Sequence, residues 1–128
     1  MAVVADTHAI VWFLEGSGDL SSRARKALRE ETIVVIPTIS LAEIRFLYAK
    51  HRIKIDIERV LQSVEQGQQF RLHPLDAAVA LALPTSLEIH DAIVCATALV
   101  FERLTGERVR VVTKDRDIRA SGLVETVW

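Results

Sequence analysis

Short apolar runs alternate with longer stretches of amphipathic character along the whole chain. Ala2 to Ala5 is apolar without interruption and ends at Asp6, the pattern of a strand buried on both faces. Thr7 to Glu15 reads as a helix that closes at Gly16-Ser17-Gly18. Ser21 is suited to cap a second helix, in which Leu20, Ala24, Ala27 and Leu28 share one face. The β-branched run Thr32 to Ile36 predicts a strand stopped by Pro37. A helix from about Leu41 follows, with Ser40 as its cap. Asp56 caps another, where Ile57, Val60, Leu61 and Val64 recur at helical spacing. Phe70 to His73 predicts a short strand, and Asp76 to Leu83 a short helix stopped by Pro84. Asp91 then opens a helix that is apolar nearly all round, so it should be packed on several sides. Val109 to Val112 and Val124 to Trp128 are the remaining predicted strands. Strands alternating with helices predict an α/β fold with a mainly parallel central sheet.

No repeat or linker breaks the 128 residues, so they read as one domain over 1–128, large enough to bury a core without metal or disulfide. Half the residues are apolar, with only five Gly and three Pro, which excludes a disordered or low-complexity chain. A single cysteine suits a reducing compartment. The longest nearly apolar run, Ala92 to Phe101, falls far short of the ~20 residues that span a bilayer. The opening MAVVAD lacks the basic start and long apolar stretch of a secretion signal. A soluble, cytoplasmic protein is the expectation. Sixteen basic residues against seventeen acidic give a net charge of −1. A uniformly basic nucleic-acid-binding surface is thereby excluded, and any affinity for RNA or DNA must come from segregated charge.

Ligand sites of open parallel sheets form outside the carboxyl ends of the strands. Asp6 ends the first predicted strand, Asp115 comes shortly after Val112, Glu43 lies early in the helix after the second strand, and Asp91 starts the most apolar helix. Four carboxylates converging on one edge would raise each other's pKa values, a conflict that a divalent cation removes. Oxygen-only ligands favour Mg²⁺ or Mn²⁺, and a phosphodiester is the natural substrate for such an ion. Each acid also has a plainer reading. Ser40-Leu41-Ala42-Glu43 spells a capping box, Asp91 is a fitting N-cap, and Asp115 and Asp117 suit a polar turn. Asp6 is hardest to explain without a site, because an acid directly after a buried strand needs partners.

With these residues in place the chain resembles the PIN-domain nucleases, and within them the VapC-type toxins of toxin–antitoxin pairs. The resemblance rests on Val4-Ala5-Asp6-Thr7-His8, Ser40-Leu41-Ala42-Glu43-Ile44, Asp91-Ala92-Ile93-Val94 and Val112-Thr113-Lys114-Asp115-Arg116-Asp117, in order along the whole chain, and on the close at Trp128. It implies a Rossmann-like α/β/α sandwich with a parallel sheet of about five strands. It implies an acidic pocket of Asp6, Glu43, Asp91 and Asp115 holding one or two Mg²⁺ or Mn²⁺ ions, with Asp117 a further possible ligand. Thr7 and Thr113 match hydroxyl positions lining that pocket, which implies that they support the ligands or orient the substrate. The Arg that usually follows the third motif's Asp is replaced by Ala92. The implied activity is hydrolysis of RNA, with tRNA or rRNA as target, and the implied partners are a small antitoxin and a second copy in a homodimer.

Lys114 and Arg116 flank the expected pocket and Arg45 stands just beyond Glu43, as phosphate-contacting cations should. Arg23, Arg25, Lys26 and Arg29 make a basic helix surface whose default explanation is solubility, with RNA or an acidic antitoxin segment as the sharper one. Cys95 reads as a small core side chain; Trp12 and Phe13 read as core residues of the first helix ahead of an RNA stacking platform or the border of a partner groove. A mean hydropathy of +0.24 allows an exposed apolar patch for association. A phosphoacceptor receiver domain is excluded, because Asp6 has no acidic neighbour and no Asp follows Phe70 to His73 at once. An RNA-processing PIN nuclease without a toxin role, and a silent binding module, are the alternatives.

Overall fold

The computed structural model describes residues 1–128. Five parallel strands, β1 (Ala2–Ala5), β2 (Ile33–Pro37), β3 (Phe70–His73), β4 (Val109–Val112) and β5 (Glu125–Val127), form one sheet in the order β3-β2-β1-β4-β5. Helices α1 (Thr7–Glu15), α2 (Ser22–Glu30), α3 (Thr38–Ala49), α4 (Ile57–Gln66), α5 (Ala77–Leu81), α6 (Ile89–Thr105) and α7 (Arg116–Ser121) connect them. The α/β fold with a parallel sheet expected from the alternation, and the five-stranded α/β/α sandwich implied by the resemblance, are the observed architecture.

The sheet is covered on both faces at its centre, which is why β1 and β2 are continuous apolar runs. Val3, Ala5, Val34, Ile36 and Val112 face a core closed by Ile10, Leu28, Ile44 and Val60 from α1, α2, α3 and α4. Ala2, Val4, Val35 and Val111 face the opposite way, against Val94 and Ala98 of α6. A further cluster joins Val79 of α5 to Ile93, Ala96 and Val100 of α6. The all-round apolar character of α6 thus reflects contact with the sheet on one side and α5 on another. No helix is long and apolar enough to cross a membrane.

Several boundaries differ from those predicted. β2 runs on into Pro37, and α3 begins at Thr38 instead of Leu41, with Pro37 at the cap position and no side-chain cap. Ser40 therefore lies inside the helix, and Ser40 to Glu43 does not form a capping box. Asp91 does not cap α6. Glu88 does, accepting hydrogen bonds from the backbone N–H groups of His90 (3.0 Å) and Asp91 (3.4 Å). α5 is shorter than expected, spanning five residues behind its Asp76 cap. The polar stretch after β4 contains α7, which the sequence does not announce.

The position of β1 decides where a site can form. The chain moves from β1 to β2 and β3 on one side, then returns to place β4 and β5 on the other. The sheet order therefore reverses between β1 and β4, and a crevice opens at their carboxyl ends.

Candidate active site

Asp6 leaves β1 at that crevice, and its backbone N–H still donates to the Val112 carbonyl of β4 (3.0 Å). Its side chain is held at both oxygens. Oδ1 accepts from the Thr7 backbone N–H at 2.7 Å, which caps α1, and Oδ2 accepts from the Thr113 hydroxyl at 2.7 Å. Both threonines are buried. Thr7 Oγ1 also directs its proton towards Ser40 Oγ (2.9 Å) and Glu43 Oε1 (3.1 Å), serving one of them at a time. Ser40 stands one turn before Glu43 on α3, so that both reach the Thr7 hydroxyl. Thr7, Ser40 and Thr113 are three of only four buried polar residues in the molecule, so its buried polar chemistry is concentrated beneath these carboxylates.

Asp115 follows β4 and caps α7, accepting from the Ile118 backbone N–H through Oδ1 at 2.9 Å. Asp91 comes across from the first turn of α6. Oxygens of Asp91, Asp115 and Asp117 all lie within 4.8 Å of one another. Asp6 and Glu43 fall outside that trio, on the α1–α3 side of the crevice.

Burial, followed by the charges of Asp115, Asp6, Glu88 and Asp117, pushes the Asp91 carboxyl from 3.8 up to about 6. Burial also pushes Glu43 up, opposed by its hydrogen bond from Thr7 and by His90 and His8, and assisted by Asp6. Asp91 and Glu43 therefore resist ionisation, and a cation bound among these oxygens would offset that resistance.

The structure thus gathers Asp6, Glu43, Asp91 and Asp115 at one edge, and adds Asp117. Lys114 and Arg116 are exposed beside them. Arg45 is exposed on α3, about 200° round the helix from Glu43. The sequence reading of Ser40 as a cap hides its place one turn before Glu43, although a spacing of three within a helix would have put both on one face. Trp12 is likewise not a plain core residue. Partly buried against the core, it also forms a side wall of the crevice together with His8 and Trp128. Cys95 is buried, as expected of a core side chain.

No curated protein matches the chain in sequence comparison. Among solved structures, a toxin–antitoxin complex from Klebsiella pneumoniae contains a chain similar over 95% of this chain and 94% of its own, with a TM-score of 0.66 and 18% identity. VapBC2 from Rickettsia felis, solved bound to a DNA fragment from their promoter, is similar over 98% and 97%, with a TM-score of 0.65 and 14% identity. FitAcB from Neisseria gonorrhoeae is similar over 97% and 95%, with a TM-score of 0.63 and 20% identity. At these identities the likeness is one of fold. The PIN domain family model matches residues 3–122, nearly the whole chain. The chain belongs to the PIN domain family.

Proposed function

We propose that this protein is a divalent-metal-dependent endoribonuclease and the toxin of a toxin–antitoxin pair. One observation carries the reading. Carboxylates from the end of β1, from α3, from α6 and from the segment after β4 gather where the sheet order reverses, above buried hydroxyls that hold two of them. The donor set fits a hard cation, since it is all oxygen and closely spaced, and burial together with the neighbouring acids raises Asp91. Asp6, Glu43, Asp91 and Asp115 would hold one or two Mg²⁺ or Mn²⁺ ions, with Asp117 as a further donor. When bound, such an ion polarises a phosphodiester and lowers the pKa of water.

The chain's own contribution is to place and hold the acids. Thr113 and the Thr7 N–H fix Asp6 from two sides, and Thr7 orients Glu43. The Ile118 N–H fixes one oxygen of Asp115 and leaves the other free. Lys114 and Arg116 supply cations at the rim for neighbouring phosphates, which lets a chain of net charge −1 approach RNA. Transfer RNA or ribosomal RNA loops are the expected targets, in the cytoplasm.

Toxin–antitoxin chains are among the solved structures of like fold, which supports an antitoxin partner for this chain. Exposed apolar side chains, among them Leu81 at 88% and Leu104 at 73%, provide surface for that partner and for a second copy. Structured RNA incubated with the protein should be cleaved with Mg²⁺ or Mn²⁺ and left intact with EDTA or in Asp6→Ala. EDTA-resistant cleavage defeats the metal reading. Expression of the unaltered chain alone should arrest growth; harmless expression of an active nuclease would point to RNA processing instead.

A further inference from the structure

Trp12 and Trp128 have no part in holding the acids, yet they are the chain's only two tryptophans and they meet at the crevice. Their ring centroids are 5.8 Å apart at 61°. His8, one turn before Trp12, lies 5.4 Å from it with the rings tilted by 46°. The Lys114 ammonium stands 5.1 Å from the centre of the Trp12 ring. With Asp6 and Thr113 these groups line a cavity of about 300 Å³ that also reaches Asp115.

Core packing accounts for only part of the arrangement, since both indoles rest against the core and still line the cavity. Ala9, Ile10 and Val11, beside Trp12 on α1, are fully buried, whereas Trp12 itself remains partly open to the cavity. The ligand that such walls fit is flat, aromatic and attached to an anion. Aromatic faces stack on bases, a lysine already drawn to a π-face suits both a ring and a phosphate, and the acids lie at the other end.

We propose that this cavity receives one unpaired nucleobase of the RNA, stacked on Trp12 in place of the Lys114 ammonium, which moves to the phosphate, with the scissile bond directed to the carboxylates. The inference rests on the ribonuclease reading and adds a binding site to it. Every base has a π-face, so the cavity selects a base that has left its helix and tolerates its identity. It therefore favours loops over duplex RNA.

The two tryptophans make the test direct, because no other residue contributes indole fluorescence. The full chain carrying Asp115→Asn is titrated in Mg²⁺ with a short single-stranded RNA, and with an equally long, equally charged ribose-phosphate strand lacking bases. RNA should quench the fluorescence. The abasic strand should leave it unchanged and bind about 5- to 150-fold more weakly, the factor that stacking one base corresponds to. Trp12→Leu in the same background should lose most of that difference, and Trp12→Phe should keep most of it. Should Trp12→Leu fail to fold, the comparison of the two strands decides without it. RNA that binds without quenching, or an abasic strand that binds equally well, overturns the cavity assignment while leaving cleavage by the unaltered chain intact. If the unaltered chain neither binds nor cleaves RNA with Mg²⁺ or Mn²⁺, the ribonuclease reading falls and takes the cavity assignment with it.

Discussion

In Asp91→Asn the charge in the first turn of α6 is removed and the size of the side chain is kept. Burial and then the neighbouring acids push this carboxyl from 3.8 to about 6 in the folded chain. The unfolded chain releases the same proton near pH 4. Between those values the folded state holds more protons than the unfolded one, so stability falls as pH rises from about 4 to about 6 and stays lowered above. The full displacement corresponds to ~3 kcal/mol between protonation states. Asp91 is only partly buried, and solvent screening on its open side reduces the penalty to ~1 kcal/mol. For a chain of this length that is ~3–5 °C in Tm. Thermal melts followed by circular dichroism in metal-free buffer should place Asp91→Asn that far above the parent at pH 8 and level with it at pH 4. Added Mg²⁺ should raise the parent more than the variant, since a cation that binds only the folded site stabilises by mass action. A variant no more stable than the parent at pH 8, or a difference of equal size at both pH values, would refute the electrostatic account of the pocket.

Thr113→Val removes the hydroxyl that donates to Asp6 Oδ2. It should cost ~1.5–3 kcal/mol in urea denaturation, the range for a hydrogen bond to a charged group, and lower RNA cleavage by roughly tenfold or more as Asp6 loses its orientation. Gly16 closes α1 with a φ of 67° and open space where a Cβ would stand, so Gly16→Ala should cost ~1 kcal/mol through the backbone alone. Burial, and next the charge of Asp91, pushes the Cys95 thiol up to about 12. A thiol-specific chromogenic disulfide should therefore leave the folded chain unmodified at pH 8 and react at once in denaturant.

The sequence spells β1 and β2 clearly because each is buried almost throughout and carries an unbroken apolar run. It misplaces the start of α3 because a cap is decided by backbone angles as much as by side-chain identity. Pro37, with a φ of −61° and an extended ψ, lets the helix begin at once, and Ser40 is drawn inside. Asp91 resembles an N-cap until Glu88, three residues earlier, is seen to hold that position. α7 has Ile118 as its only buried anchor, too little for a hydrophobic period to register. The approach of Asp117 to Asp91 depends on how α6 and α7 pack, and that of Trp128 to Trp12 on where β5 ends. Both are tertiary facts with no local signal. Asp6, Glu43, Asp91 and Asp115 were legible because parallel topology ties strand ends to a common edge; Ser40 and the aromatic wall were not.

The hydrogen bond from Thr113 to Asp6 joins residues 107 positions apart. Asp6 emerges early in translation, but β1 has no β4 beside it and Asp6 has no hydroxyl beneath its second oxygen until the segment around Thr113 has also left the ribosome. A nascent chain, surrounded by ribosomal and transfer RNA at close range, thus carries no assembled pocket. The long closure that makes the site slow to form also delays its competence until synthesis has passed the fourth strand.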